Sequence, residues 1–301
     1  MLYWPLWLQC YWCSALPVWS GDRLWFTVYR LQLMEEIQNR KLIMRIGRNT
    51  LSFTLPDPAD KEQPLRHEPY VVKGGISMAA NLREALKTVT LPSGNVKRVQ
   101  VVIDTPSMLV PIEQFEEENI NDLYAYTFAP SQEPRKILFN VLPDLKAVCL
   151  FPINKDLYGV INDRYDDVQF IHALAPVWRH MHQRSFTGHF NKLYASFLGR
   201  QLCLFAFQQN RFKFCNTFDA SHAQDALYFI MYVWKQLRMD AFRDELHLSG
   251  EVPEEKQLMQ ELKQYLQKVY LSNPAAEFNQ APATKVKGMP YDLMTLIVKG
   301  R

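Results

Sequence analysis

Several groups of residues have the types and spacing that chemistry needs. Asp104 and Thr105 directly follow the apolar run Val101-Val102-Ile103. They therefore sit past the carboxyl end of an expected buried strand, where open α/β sheets bind ligands. Pro106 next in line gives the plainer alternative, a strand cap and break. His180, His182 and His189 lie beside Trp178, Arg179 and Arg184. Histidines two apart do not share a helix face, so a surface helix and loop is expected there rather than a metal site. Cys10 and Cys13 form a CxxC pair, but no second pair and no flanking βαβ pattern accompanies them. Cys149, Cys203 and Cys215 sit in apolar strands and are expected to pack. No GxSxG nucleophile motif occurs. Arg48, Arg200, Arg211 and Lys213 mark a basic edge along two hairpins, suited to an anion or acidic partner, or else simply to edge protection. The acidic run Glu116-Glu117-Glu118 beside Phe115 reads as a solvated helix start.

Composition narrows the classes. The chain has 301 residues, enough for two domains or two halves of one unit. Hydrophobic residues make up 48% and charged residues 22%, which excludes a disordered or fibrous protein. A net charge of +3 gives no support for nucleic acid or an anionic membrane as partner. Five cysteines do not make a disulfide framework, and a cytoplasmic location is expected. Residues 1–33 stand apart, because five of the seven tryptophans fall there. Pro5 and Pro17 interrupt the apolar run and no Lys or Arg precedes Arg23, which suits neither a signal peptide nor a membrane span. We expect an extension outside the fold, with Met34 as the natural start; a poor membrane or export signal is the second reading and a functional Cys10–Cys13 thiol pair the third.

An internal repeat organises the remainder. Ile46-Gly47-Arg48-Asn49 aligns with Leu198-Gly199-Arg200-Gln201, each a strand running into a glycine turn where φ is expected to be positive. In the second half, strands at 192–198, 202–208 and 211–218 form a meander. A helix over 223–239 follows, then a strand at 244–249 and a helix from Pro253 that carries Leu258, Leu262 and Val269 on one face. In the first half, strands are expected at 42–46, 51–55 and 70–73, a helix at 78–89 and a buried strand at 98–104. An insertion follows, with strands at 124–128, 137–141 and 147–151 and a helix near 154–165. A strand at 168–172 and a helix at 173–183 close this half. The expected architecture is α/β: an extension at 1–33, a first βββαβα half with its insertion at 34–185, and a second βββαβα half at 186–301.

Two such halves with an insertion in the first resemble the actin-like ATPase superfamily and its ribonuclease H-like building block, in particular the bacterial pilus-assembly and cell-division homologues. More narrowly, the sequence is similar to the domain of unknown function 3822 of Bacteroidetes, over about residues 40–300. The stretches that carry this are Ala80-Asn81-Leu82-Arg83-Glu84-Ala85-Leu86, Asp104-Thr105-Pro106-Ser107-Met108-Leu109-Val110-Pro111, Asn210-Arg211-Phe212-Lys213-Phe214-Cys215-Asn216 and Val233-Trp234-Lys235-Gln236-Leu237. The resemblance implies the fold, and makes the insertion a candidate partner surface.

An ATPase of that superfamily carries Asp-x-Gly in the first hairpin of each half, the acids holding Mg²⁺ and water, the glycines admitting phosphate. Here the two positions read Arg45-Ile46-Gly47 and Phe197-Leu198-Gly199. The adenosine-side loop reads Leu248-Ser249-Gly250-Glu251, lacking the paired glycines and adding an acid. Gly47, Gly199, Ser249 and Gly250 are thus the nucleotide contacts the resemblance implies, with Asp104 and Thr105 as further cleft residues. With the acids gone, ATP and Mg²⁺ are disfavoured, no catalytic or metal-binding residue is assigned, and a binding protein with a protein partner is expected, with a homodimer as one option. The rival reading is an ATPase or kinase-like enzyme that draws its acids from Asp104, Asp219 or Asp244.

Overall fold

The computed structural model describes residues 41–56, 64–91, 96, 98–187, 189–208 and 211–300. Residues 1–33, with Cys10, Cys13 and the tryptophan cluster, lie outside them, as does the expected turn at Gln209-Asn210. No helix among the described residues is long and apolar enough to cross a membrane.

The first half is built on β1 (Lys41–Ile46), β2 (Leu51–Pro56), β3 (Leu65–Tyr70), β4 (Arg98–Ile103) and β8 (Asp167–His172), in the order β3-β2-β1-β4-β8. The second uses β9 (Lys192–Leu198), β10 (Gln201–Gln208), β11 (Arg211–Asp219), β12 (Glu245–Gly250) and β13 (Val269–Leu271), in the order β11-β10-β9-β12-β13. The two orders are the same, strand for strand. In both, the meander is antiparallel and the later strands join in parallel. The fifth strand of the first half is the one expected at 168–172, whereas β13 of the second half has no counterpart among the expected strands.

Helices α1 (Met78–Thr88) and α3 (Lys155–Arg164) serve the first sheet, α5 (Ala223–Gln236) and α6 (Glu255–Tyr265) the second. Ser77 caps α1 by accepting from the Ala80 N–H. Buried Asn81 fastens the preceding loop, accepting from Lys73 N and donating to the carbonyls of Lys73 and Ser77. Between the sheets lie α4 (Leu174–Ser185) and α9 (Tyr291–Lys299), packed on each other. Trp178 of α4 shares a core with Tyr194 and Phe205, while Leu293 and Leu296 of α9 share one with Ile43 and Val102. Short helices α7 (Pro274–Glu277) and α8 (Pro282–Lys285) lead into α9.

The insertion is a three-stranded sheet in the order β5-β7-β6, made of β5 (Met108–Pro111), β6 (Arg135–Leu142) and β7 (Ala147–Asn154), with α2 (Ile120–Thr127) across it. Residues 124–128, expected as a strand, lie in and just after this helix. The Tyr-Ala-Tyr-Thr-Phe alternation imitates a strand, but Tyr124 stacks on Phe128 four residues on and donates to the Pro106 carbonyl (2.9 Å). The third strand is Leu65–Tyr70, not 70–73. Its charged residues and Pro69 suit a sheet edge, where a missing N–H costs nothing. Val269 belongs to β13 rather than to the face of α6, which ends at Tyr265.

Candidate active-site cleft

Strand alternation decides what faces the space between the sheets. On β1, Leu42, Met44 and Ile46 point toward the α1 and α3 layer, so Ile43 and Arg45 point toward α9. On β9, Leu193, Ala195 and Phe197 join the α5 and α6 core, which leaves Tyr194 and Ser196 facing inward. The hairpins superpose accordingly: Ile46 opposite Leu51 in one corresponds to Phe197 opposite Leu202 in the other. The repeat read from Gly47 and Gly199 is thus one residue out of register. A one-residue slip exchanges the faces of every side chain. Arg45 corresponds to Ser196, and Phe197 is a core residue rather than the replacement of a cleft acid. By the same register Asp104 corresponds to Glu251, since Ile46 pairs with Ile103 and Phe197 with Gly250.

Arg45 is 6% exposed and holds the centre of the cleft. Its Nε donates to Asp292 Oδ2 of α9 (2.7 Å), one terminal nitrogen to Asp104 Oδ2 (3.2 Å) and the other to Thr50 Oγ1 (3.1 Å). Burial disfavours the cation, but Asp292 and Asp104 together outweigh it and hold the guanidinium pKa above its ordinary value. Burial pushes the carboxyls of Asp292 and Asp104 upward, and Arg45 opposes it. A buried group of this kind is costly to break, because removing one partner strands the others without water.

The neighbouring residues are equally committed. The Thr105 hydroxyl donates to the Pro152 carbonyl (3.0 Å), and the Thr105 carbonyl lies 2.9 Å from His172 Nε2. His172 Nδ1 accepts from the Leu174 N–H, so Nε2 carries the proton and donates to Thr105. Burial drives the His172 pKa down to about 4, leaving a neutral ring. Asp104, Thr105, His172, Leu198, Gln201 and Thr217 enclose about 10 Å³, room for one water.

The three glycines and the serine fare differently. Gly47 does not have a positive φ, against expectation; a Cβ there would meet Thr50 Oγ1 at 2.4 Å and the Arg45 guanidinium at 3.3 Å. Its missing side chain makes room for Arg45. Gly199, at φ 55°, has the positive φ the turn asks for. Gly250 has φ 87°, and a Cβ there would lie 2.1 Å from the Phe197 carbonyl oxygen. Close packing of β12 on β9 accounts for it. Ser249 is buried beside Ser196. Asp219 is exposed and faces Arg200 (3.8 Å), and Asp244 ties the 240–244 loop to Asn191, so neither enters the cleft.

A Mg-nucleotide does not fit these residues. A guanidinium paired with two carboxylates stands beside the Gly47 turn, so the acids that would hold the metal are already engaged by a cation. Sequence reasoning missed Asp292 and His172. Asp292 is 247 residues from Arg45, and its one signal is an acid inside the apolar helix Tyr291–Lys299. The histidine cluster also departs from the expected surface helix. His180 and His182 are buried, and His180 Nε2 lies 2.7 Å from Glu277 Oε1, which also accepts from Tyr291 and Arg184. Burial would raise the Glu277 pKa, but these partners hold it below the usual value. No group of metal-ligating side chains occurs among the described residues.

The model of the family described as a protein of unknown function (DUF3822) matches residues 33–269. The chain belongs to that family. A crystal structure of a Bacteroides thetaiotaomicron protein of unknown function with an actin-like ATPase fold is 26% identical. The match covers 82% of this chain and 97% of that one, with a TM-score of 0.72. The DUF3822 chain therefore has the actin-like ATPase fold. A type IV pilus biogenesis complex, PilM-PilN, matches at 11% identity over 79% of this chain and 89% of that one, with a TM-score of 0.48. The cytoplasmic domain of EpsL from Vibrio cholerae, an inner membrane component of a type II secretion system, matches at 13% over 75% and 94%, with a TM-score of 0.41. Comparison with curated proteins finds no match.

Proposed function

We propose that this DUF3822 protein is a non-catalytic member of the actin-like fold that works by binding a protein partner, as a scaffold or regulatory subunit. The observation that carries the reading is the Arg45–Asp104–Asp292 group: a cation, bound on both sides, fills the position from which a hydrolytic acid would act. The three described cysteines are free thiols, which suits a reducing compartment such as the cytoplasm.

Isothermal titration and thermal unfolding of the full chain with Mg-ATP and Mg-ADP test this. We expect no saturable heat and no shift in midpoint at millimolar nucleotide. A ligand at a hundred times its Kd stabilises by about 2.7 kcal/mol, so a concentration-dependent rise in Tm overturns the reading in favour of an ATPase or kinase-like enzyme.

A further inference from the structure

A large groove lies between the insertion and the second half, adjoining the small enclosed space at Ser107 and Thr217. It measures about 700 Å³. One wall is Ser107 to Pro111, the other Arg211 to Thr217, in both cases every consecutive residue. A groove over the face of a sheet touches alternate residues, because successive side chains point to opposite faces. A groove lined by consecutive residues meets the strand's edge. Both strands are edges: β5 is the outer strand of β5-β7-β6, and β11 the outer strand of β11-β10-β9-β12-β13. Two rows of outward N–H and C=O groups thus border one groove, and the β11 wall runs about 20 Å at ~3.3 Å per residue.

The side chains specify what enters. Half-buried Leu109, Phe128, Phe212 and Phe214 make the floor apolar. Glu113 is the lone carboxylate of the lining, and it is paired with Arg211 (2.8 Å) across one end. Exposed Lys146 and Lys213 have no ion-pair partner among the described residues. The groove is therefore cationic as well as apolar.

From these observations we infer that the groove binds an extended acidic segment of a partner protein by strand addition to β11 or β5, with apolar and acidic side chains alternating. This inference rests on the binding function proposed above and names its site. Main-chain pairing supplies affinity in this mode, and the pockets for alternate side chains supply specificity.

The test pans a phage-displayed library of random dodecapeptides on the immobilised full chain, then measures the synthesised winners by fluorescence polarisation. Selected sequences are expected to alternate apolar residues with Asp or Glu, and to protect amides of residues 108–110 and 212–217 from hydrogen exchange. N-methylation of alternate peptide amides is expected to weaken binding at least tenfold. The double substitution Lys146→Glu with Lys213→Glu, both on exposed side chains, is expected to do the same with an unchanged melting curve. The N-methylated peptides keep the test decisive should that variant not fold. The inference is overturned if no sequence is enriched, if neither change weakens binding, or if protection maps elsewhere. It is overturned too if sedimentation finds a dimer whose 212–217 amides are already protected, since a second copy then fills the groove. Such a failure leaves the nucleotide titration, and the reading it tests, untouched.

Discussion

The two halves share a strand order and a hairpin length, yet close the space between them with different chemistry. On the inward face of β1 stands Arg45, charged and held by two carboxylates; the corresponding residue of β9 is Ser196, small and buried. Beyond the strand ends the contrast reverses in exposure: Asp104 is drawn into the ion group, whereas its counterpart Glu251 stays in solvent. The fold does not dictate what stands at its symmetric positions. In this group the first sheet supplies Arg45 and Asp104, and the second half answers with Asp292 from its last helix, α9, rather than from its sheet.

Breaking that asymmetry gives the largest expected effect. Arg45→Met leaves Asp104 and Asp292 buried without a cation and costs about 3–5 kcal/mol, read by urea unfolding of the full chain. Adding Asp292→Asn recovers most of it, because the fully buried carboxylate is then neutral and Asp104, at 20% side-chain exposure, still reaches water. Ser196→Ala in the other half moves the midpoint by less than about 0.5 kcal/mol. Equal losses at the two positions sink the distinction.

Next in size is the response to acid. The His172 pKa falls from its ordinary 6.5 to about 4 on folding. The unfolded chain therefore binds the proton first, and stability drops as pH falls from about 6.5 through about 4, by up to about 3 kcal/mol. The raised carboxyls of Asp104 and Asp292 act with the opposite sign, since the folded state takes up their protons first. Comparing the parent with His172→Asn from pH 7 to pH 4.5 isolates the histidine: the variant loses the steeper part of the slope. Parallel profiles refute this assignment.

The smallest effect separates the two turns. Gly199→Ala forces a Cβ into a left-handed φ and costs about 1–2 kcal/mol, and Gly199→Asn less. At Gly47 the obstacle is contact with Thr50 and Arg45 rather than dihedral angle, so Asn there is no better tolerated than Ala. Differential scanning calorimetry of the four variants decides it.

Much of the fold was legible because it rests on local pattern. The β-branched run ending at Ile103, the alternation at 211–218 and the apolar girth of α5 each announce their element. What escaped was set by distance or by an edge. β3 hides behind Arg66, His67, Glu68 and Pro69, and is held by pairing with β2 and by the Thr54–His67 contact (2.8 Å) rather than by its own hydrophobicity. The repeat register is hidden in the sequence because the two glycines align more conspicuously than the pairing partners that fix it. Of the candidate cleft, Asp104 and Thr105 could be placed from the strand they follow. The cation's second partner could not, since no local rule links position 45 to position 292.

That separation has a consequence in time. A ribosome adding ~5–20 residues per second needs roughly 12–50 s to pass from Arg45 to Asp292. Throughout that interval the nascent first sheet displays Ile43 and Val102 without the helix that covers them. The earliest strands to emerge are thus among the last to be finished, and a stalled or shortened chain leaves the ribosome with its oldest sheet still open on one side.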